Sequence, residues 1–355
     1  MNRDQIDTPA LLLDLEAMEH NIAAMATYFA GQEADLRPHF KTPKCVEVAQ
    51  RQVAAGAIGI TCAKLGEAEV AVEGGIQSVL IANQITGEVK IKRLLELLPR
   101  AEVIVAVENE GNVHELAEAG RASGRVPRVI IETDVGMGRC GTRSPAETVK
   151  LAHLIREQGL EYRGVMGYEG HCVLVPDAEQ RIGKATEAMD VLMAHVEALN
   201  ESGLHPEIVS AGGTGTYDVT GSRAGVTEVQ AGSYVFMDGL YSHVRSDTPF
   251  KPALSILATV IARHGDDAIA DVGMKSLTNE FGPPRGKTSK FKVSSLSEEH
   301  AHLDLQPDDP IKPGDKVEIY PSHNDTTINL HSEYYVMRGD EVIDVWDIAG
   351  ARKYR

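Results

Sequence analysis

The 355-residue chain has no CxxC pair, no excess of basic residues and no long uninterrupted apolar run, and each absence narrows what it can be. Its four cysteines, Cys45, Cys62, Cys140 and Cys172, are scattered. That argues against a disulfide framework and for reduced thiols in a cytoplasmic protein. A formal net charge of −17 opposes binding to phosphate backbones and anionic lipid, so neither nucleic acid nor a membrane is an expected partner. A small anionic ligand needs only local positive charge and stays open. No run of about 18 uninterrupted apolar residues appears, so no membrane span is expected. The N-terminus, MNRDQIDTPA, has no basic segment followed by an apolar core, so no secretory signal is expected. What is present, 43% apolar and 25% charged residues, describes a soluble globular protein. The length suggests roughly two domains.

From residue 35 to about 240, strand-like runs alternate with amphipathic helical segments. The runs are DLRPH (35–39), AIGITC (57–62), SVLIA (78–82), EVIVAV (102–107), RVIIETD (128–134), YRGVMGY (162–168), EIVS (207–210) and the stretch around TEVQAG (227–232). Segments such as GNVHELAEAGRASG and PAETVKLAHLIREQG separate them. Such alternation implies right-handed crossovers and a parallel sheet. Eight units in this length fit a closed (β/α)8 barrel of the TIM type better than an open doubly wound sheet, which would want a GxGxxG turn where this chain has HFKTPK. Beyond about residue 250, PALSILATVIA, DDAIADVG, DKVEIYP, YYVMRG and EVIDVWDI are short, turn-separated runs that read as a β-domain. TPALLLDL near the N-terminus is expected to add a strand to it. The expected domains are a barrel over 20–245 and a β-domain from 1–19 plus 246–355.

Chemistry in a (β/α) barrel lies in the loops at the carboxyl ends of the strands. Lys41 follows the first strand, where Thr42-Pro43 reads as a helix start. A loop lysine is ordinarily just solvated, so its neighbours must argue for more. TDVGMGRCG after strand five delivers Arg139, GYEGH after strand six offers Tyr168 and His171, and SAGGTGTY and AGSYVFMD follow strands seven and eight. In SAGGTGT, Gly212, Gly213 and Gly215 permit close backbone approach, and Thr214 and Thr216 add hydroxyl donors. Barrels often bind phosphate here, although a glycine-rich turn alone reads equally as a flexible connection. A phosphate loop with no P-loop lysine, opposite an isolated lysine at strand one, points to a phosphorylated cofactor held covalently. Pyridoxal 5'-phosphate, whose aldehyde condenses with a lysine amine, suits that layout.

RPHFKTPK, TDVGMGRCG, SAGGTGTY, QAGSYVFMD and PSHNDTTINLH, in this order along nearly the whole chain, resemble the D-threonine aldolase / D-serine dehydratase family, D-3-hydroxyaspartate aldolases included. The resemblance implies an alanine-racemase-like fold and a homodimer. It implies Lys41 as the lysine that carries the cofactor, with Lys44 as the rival read as lying inside the next helix. It further implies Gly213, Thr214 and Gly215 at the phosphate, Tyr168 in the cofactor pocket, Arg139 beside the cofactor or the substrate carboxylate, and Tyr234 closing the phosphate site. The strand-seven loop has no arginine to set against the pyridine nitrogen as in an alanine racemase, which argues against racemisation.

PSHNDTTINLH places His323 and Asp325 at i and i+2. If DKVEIYPSHND continues as a strand, alternation puts both on one face. Spacing alone reads more simply as two solvated polar residues; the family resemblance implies a two-residue metal site. Imidazole and carboxylate suit Mn²⁺ or Mg²⁺ better than a thiolate zinc centre. The resemblance also implies that dehydratases carry cysteine where this chain has Asp325, and aldolases aspartate. The expected activity is therefore a lyase reaction: cleavage of a D-3-hydroxy amino acid of the D-threonine type to glycine and an aldehyde, with His171 as a candidate base. The alternative is a D-serine or 3-hydroxyaspartate dehydratase giving a 2-oxo acid and ammonia. A non-catalytic pyridoxal-phosphate carrier would lack the second domain. SEEH (297–300) is a candidate lining for the β-substituent pocket.

Overall fold

The computed structural model describes residues 1–288 and 290–355, which divide into two compact units. One comprises residues 25–41, 48–232 and 353–355, the other residues 1–24, 42–47 and 233–352.

A strand Ala10–Asp14 (β1) precedes the barrel strands, which are Asp35–Leu36 (β2), Ile60–Cys62 (β3), Ser78–Gln84 (β4), Glu102–Val107 (β5), Arg128–Glu132 (β6), Glu161–Met166 (β7), Ile208–Ala211 (β8) and Glu228–Val229 (β9). Each of the eight runs expected from the sequence overlaps one of them. Their parallel pairs run β2-β9-β8-β7-β6-β5-β4-β3. Bonds from Ile58 N to Leu36 O, Thr61 N to Pro38 O and Phe40 N to Thr61 O join the ends and close the ring. Strands covered on both faces are near-continuous Val/Ile/Leu runs. In EVIVAV, Ile104 and Ala106 meet Leu80, Ile130, Met166 and Ile208 in one buried cluster, while Val103, Val105 and Val107 are buried on the alternate positions. The intervening helices carry ordinary stop and start signals. The helix Glu110–Ser123 is capped by the Asn109 side chain and ends at Gly124, which takes a left-handed φ of 67°.

The other unit is a mixed sheet. Its strands are β1 with Leu254–His264 (β10), Asp267–Ala270 (β11), Arg285–Gly286 (β12), Phe291–Leu296 (β13), Ala301–Leu305 (β14), Lys316–Tyr320 (β15), Glu333–Arg338 (β16) and Glu341–Asp347 (β17). The order is β13-β14-β11-β10-β1-β16-β17, with β15 on β10 and β12 on β15. The N-terminal TPALLLDL run does enter this sheet, antiparallel to β10 and parallel to β16. The β13–β14 hairpin was not anticipated; its alternation of buried and exposed positions is short and bounded by charged turns. All four cysteines are free thiols.

Two local expectations fail. Thr42-Pro43 does not start a helix: the next helix is Val46–Ala54, and Lys44 lies ahead of it with φ 48°, its carbonyl taken by Gly350 N at 2.8 Å. Nor does β15 continue through the His-x-Asp motif. It ends at Tyr320, and a short helix, Asn324–Ile328, begins directly after His323.

Candidate functional site

Two constellations carry chemistry, one in each unit. In the barrel unit, Lys41 leaves the carboxyl end of β2 behind buried Phe40, its backbone N donating to His39 Nδ1 at 3.3 Å. Its Nζ lies over the Tyr168 ring, 5.8 Å from the centroid, and Arg139 Cζ lies 5.9 Å from the same centroid. Both are cation–π distances. The Tyr168 ring fills a slot that glycines leave open: a Cβ on Gly213 would sit 3.2 Å from Cε2, and one on Gly170 would sit 2.5 Å from Cε1. Lys41, Arg139 and the glycine-rich turn therefore converge on Tyr168.

Arg139 is delivered by a pinned loop. Asp134 Oδ1 accepts from Gly136 N (3.1 Å) and Gly138 N (2.9 Å), and Glu108 accepts from Gly141 N at 2.5 Å. Inside the ring of strands, buried Glu132 takes a 2.5 Å bond from Gln84 Nε2 and lies 3.6 Å from Arg139 Nη2. Burial pushes the Glu132 carboxyl up, against the lowering pull of Gln84 and Arg139. His171 is exposed on the turn after β7, its ring 3.2 Å from where a Cβ of Gly136 would be.

The SAGGTGT turn is closed by Thr216 N to Gly213 O at 3.1 Å. A Cβ on Gly215 would collide with the Val173 carbonyl, so that position admits only glycine without a backbone shift. The buried turn, with Thr214 and Gly215 at its centre, is a cradle a phosphate group fits. Beneath it lies Glu169, fully buried and hydrogen-bonded by Gly212 N, Thr216 Oγ1 and Thr220 Oγ1.

In the sheet unit, His323 and Asp325 are brought together by the turn into the short helix, which replaces the strand alternation expected. His323 Nε2 lies 3.8 Å from Asp325 Oδ2. His323 Nδ1 meets Asp238 Oδ2 at 2.8 Å, and Asp238 is itself fixed by Asn324 N and Tyr241 N. That contact orients the imidazole with Nε2 toward Asp325, an arrangement metal-binding histidines commonly show. Asp325 Oδ1 is buried with no hydrogen-bond partner among the described residues. Burial pushes the His323 pKa down, but the Asp238 bond and the charges of Asp325, Asp238 and Glu280 outweigh it and raise it to about 9. An imidazole nitrogen, an orphaned carboxylate oxygen and surplus negative charge fit a divalent cation. Among the described residues, no group of three or more His, Cys, Asp or Glu side chains is arranged to hold a metal ion. The protein thus offers a pair.

Tyr234 sits in a 3-10 turn of this unit, fully buried, its ring 5.6 Å from that of Phe250. SEEH forms the β13–β14 turn, where Lys275 reaches Glu299 at 2.8 Å. Sequence reading assigned no role to Glu169, Glu132 or Asp238. Glu169 and Asp238 do fall inside the quoted GYEGH and QAGSYVFMD stretches, but nothing local marks their partners.

A parallel β/α ring with a lysine, a cationic loop and a glycine-rich turn at its strand ends, joined in one chain to a mixed sheet, defines the alanine-racemase-like class of pyridoxal-phosphate enzymes. Residues 13–239 match the alanine racemase N-terminal domain and residues 253–337 the serine dehydratase domain. The chain is 36% identical over 352 residues to a D-threonine aldolase from Arthrobacter sp., covering 97% of this chain and 93% of that one. It is 33% identical over 367 residues to a 3-hydroxy-D-aspartate aldolase from Paracoccus denitrificans, covering 99% and 94%. A solved D-threonine aldolase from Filomicrobium marinum superposes with a TM-score of 0.95 at 35% identity, covering 98% and 96%. The chain belongs to the D-threonine aldolase / D-serine dehydratase family and is a lyase.

Proposed function

We propose that the protein is an aldolase that cleaves D-3-hydroxy amino acids of the D-threonine type to glycine and an aldehyde. Pyridoxal phosphate on Lys41 and a divalent cation, Mn²⁺ or Mg²⁺, on His323 and Asp325 serve the reaction. The observation that carries this reading is the pair itself, an Asp238-oriented imidazole beside a carboxylate oxygen with no partner.

Bound pyridoxal phosphate supplies the electron sink for the pair left on Cα when the Cα–Cβ bond breaks. Lys41 would hold the cofactor through its amine, with its Nζ over the Tyr168 ring. Gly213, Thr214 and Gly215 take the phosphate, and Tyr168 supports the ring. Arg139 binds the substrate carboxylate with the guanidinium donors that Glu132 does not approach. His323 and Asp325 hold the cation that acidifies the β-hydroxyl, and His171 takes the hydroxyl proton, directly or through water. The Cα–Cβ bond breaks with release of the aldehyde, and the one proton that Cα gains as glycine forms balances the one His171 took from the hydroxyl. Asp325, a hard oxygen ligand, supports the aldolase over a dehydratase with a thiolate ligand. We extend the proposal to a cytoplasmic homodimer. No helix among the described residues is long and apolar enough to cross a membrane.

The test is product identification with D-threonine, D-phenylserine and D-3-hydroxyaspartate. Glycine plus the matching aldehyde is expected; ammonia and a 2-oxo acid as main products would overturn the reading. Gly213→Val probes the cradle, since a branched side chain there must displace Tyr168 or Val173. Cofactor affinity should fall by roughly tenfold or more, about 1.4 kcal/mol per tenfold, with a far smaller loss of thermal stability. Unchanged affinity would make the loop an ordinary turn.

A further inference from the structure

Glu169 has no role in the chemistry above, yet it is a fully buried carboxylate, and burying one is costly unless its lone pairs are met. They are met by three donors. Oε2 accepts from Gly212 N at 3.1 Å; Oε1 accepts from Thr216 Oγ1 at 2.7 Å and Thr220 Oγ1 at 2.5 Å. We propose that Glu169 is the positioning residue of the phosphate cradle, holding the Gly212–Thr216 turn in the shape that recognises the phosphate of the cofactor. The proposal rests on the reading of Gly213–Gly215 as that cradle.

The hydrogen bonds at Glu169 are directional. An ionised carboxylate is acceptor-only, so every group that touches it must point a hydrogen at it. The Thr216 hydroxyl is thereby turned toward Glu169, and its lone pairs are left for Gly213 N, which donates to Thr216 Oγ1 at 3.3 Å. Gly212 N–H is taken directly and Gly213 N–H through Thr216. The turn closed by Thr216 N and Gly213 O is then oriented by one side chain. The preceding residue, Tyr168, lies against Gly213 with its ring edge. A single dipeptide therefore sets both the turn and the aromatic support beside it. Glutamine cannot substitute: in one amide orientation it leaves the Gly212 N–H without an acceptor, in the other both threonine hydroxyl hydrogens.

Titration of the cofactor-free chain with pyridoxal phosphate and with pyridoxal, which lacks the phosphate, separates a cradle effect from a general one. Absorbance of the bound chromophore gives both dissociation constants without turnover. Glu169→Gln is expected to raise the constant for pyridoxal phosphate roughly tenfold or more, as loss of a buried charge-assisted partner does, and to change that for pyridoxal by less than about twofold. Thr220→Val, which keeps the shape and removes one donor, should show the same selectivity at about threefold, and it decides the matter if Glu169→Gln does not fold. Equal weakening of both ligands, no weakening, or tighter binding of pyridoxal phosphate from loss of a repelling charge would overturn the proposal. Gly215→Ala, whose Cβ would meet the Val173 backbone and not Tyr168, is the control. If it affects both ligands alike, the phosphate reading itself fails; if it is selective and the other two variants are not, only the role of Glu169 falls.

Discussion

Lys41→Ala is expected to abolish turnover, by about a thousandfold or more, and to remove the covalent attachment of pyridoxal phosphate. The lysine is placed by β2 and the bond from Phe40 N to Thr61 O, with its amine over Tyr168. No neighbouring lysine shares that placement. Lys44 lies in a left-handed turn assigned to the other unit, and Lys64 precedes the helix Leu65–Glu73. Borohydride reduction followed by peptide mapping should find the label on Lys41 in the native protein and no label in the variant. A label on Lys44 or Lys64 would remove Lys41 from the mechanism. Because the side chain is half-buried on a loop, the variant should melt within a few degrees of the native protein.

Metal removal should have the second largest effect. Chelation followed by desalting should stop glycine formation, and Mn²⁺ should restore it, because a cation held by the pair would lower the pKa of the β-hydroxyl. His323→Asn and Asp325→Ala should each leave the protein insensitive to added metal. Asp238→Asn keeps both ligands but weakens the hold on His323 Nδ1, and losses of this kind run about 10–100-fold in metal affinity or activity. Asp325→Cys should bind zinc more tightly and lose aldol cleavage. Full activity in a metal-stripped sample, or an unaffected Asp325→Cys variant, would defeat the assignment.

The reach of the sequence depended on the range of the interactions. EVIVAV, RVIIETD and EIVS were legible as barrel strands because burial on both faces is written into consecutive residues. Lys41, Arg139 and Tyr168 were legible because a barrel brings its strand ends together, and the motifs around them resemble a known family. Spacing misjudged the path from Tyr320 to Asp325, where a Pro-Ser turn ends the strand and a new helix presents the pair. Lys44 was misplaced because a proline just ahead of a helical pattern reads as its start, whereas Val46, three residues on, is the first helical residue.

By itself the sequence determined the layered alternation of strands and helices, the mixed sheet that follows, and the residue types at the strand ends, since these depend on periodicity and local chain stiffness. Only the tertiary structure decided which polar groups answer one another. Glu169 meets donors 43 to 51 residues away, and Asp238 meets His323 across 85 positions. A hydrogen bond is directional and short, so its partners are chosen by the closed backbone, and no pattern in the intervening residues records the choice.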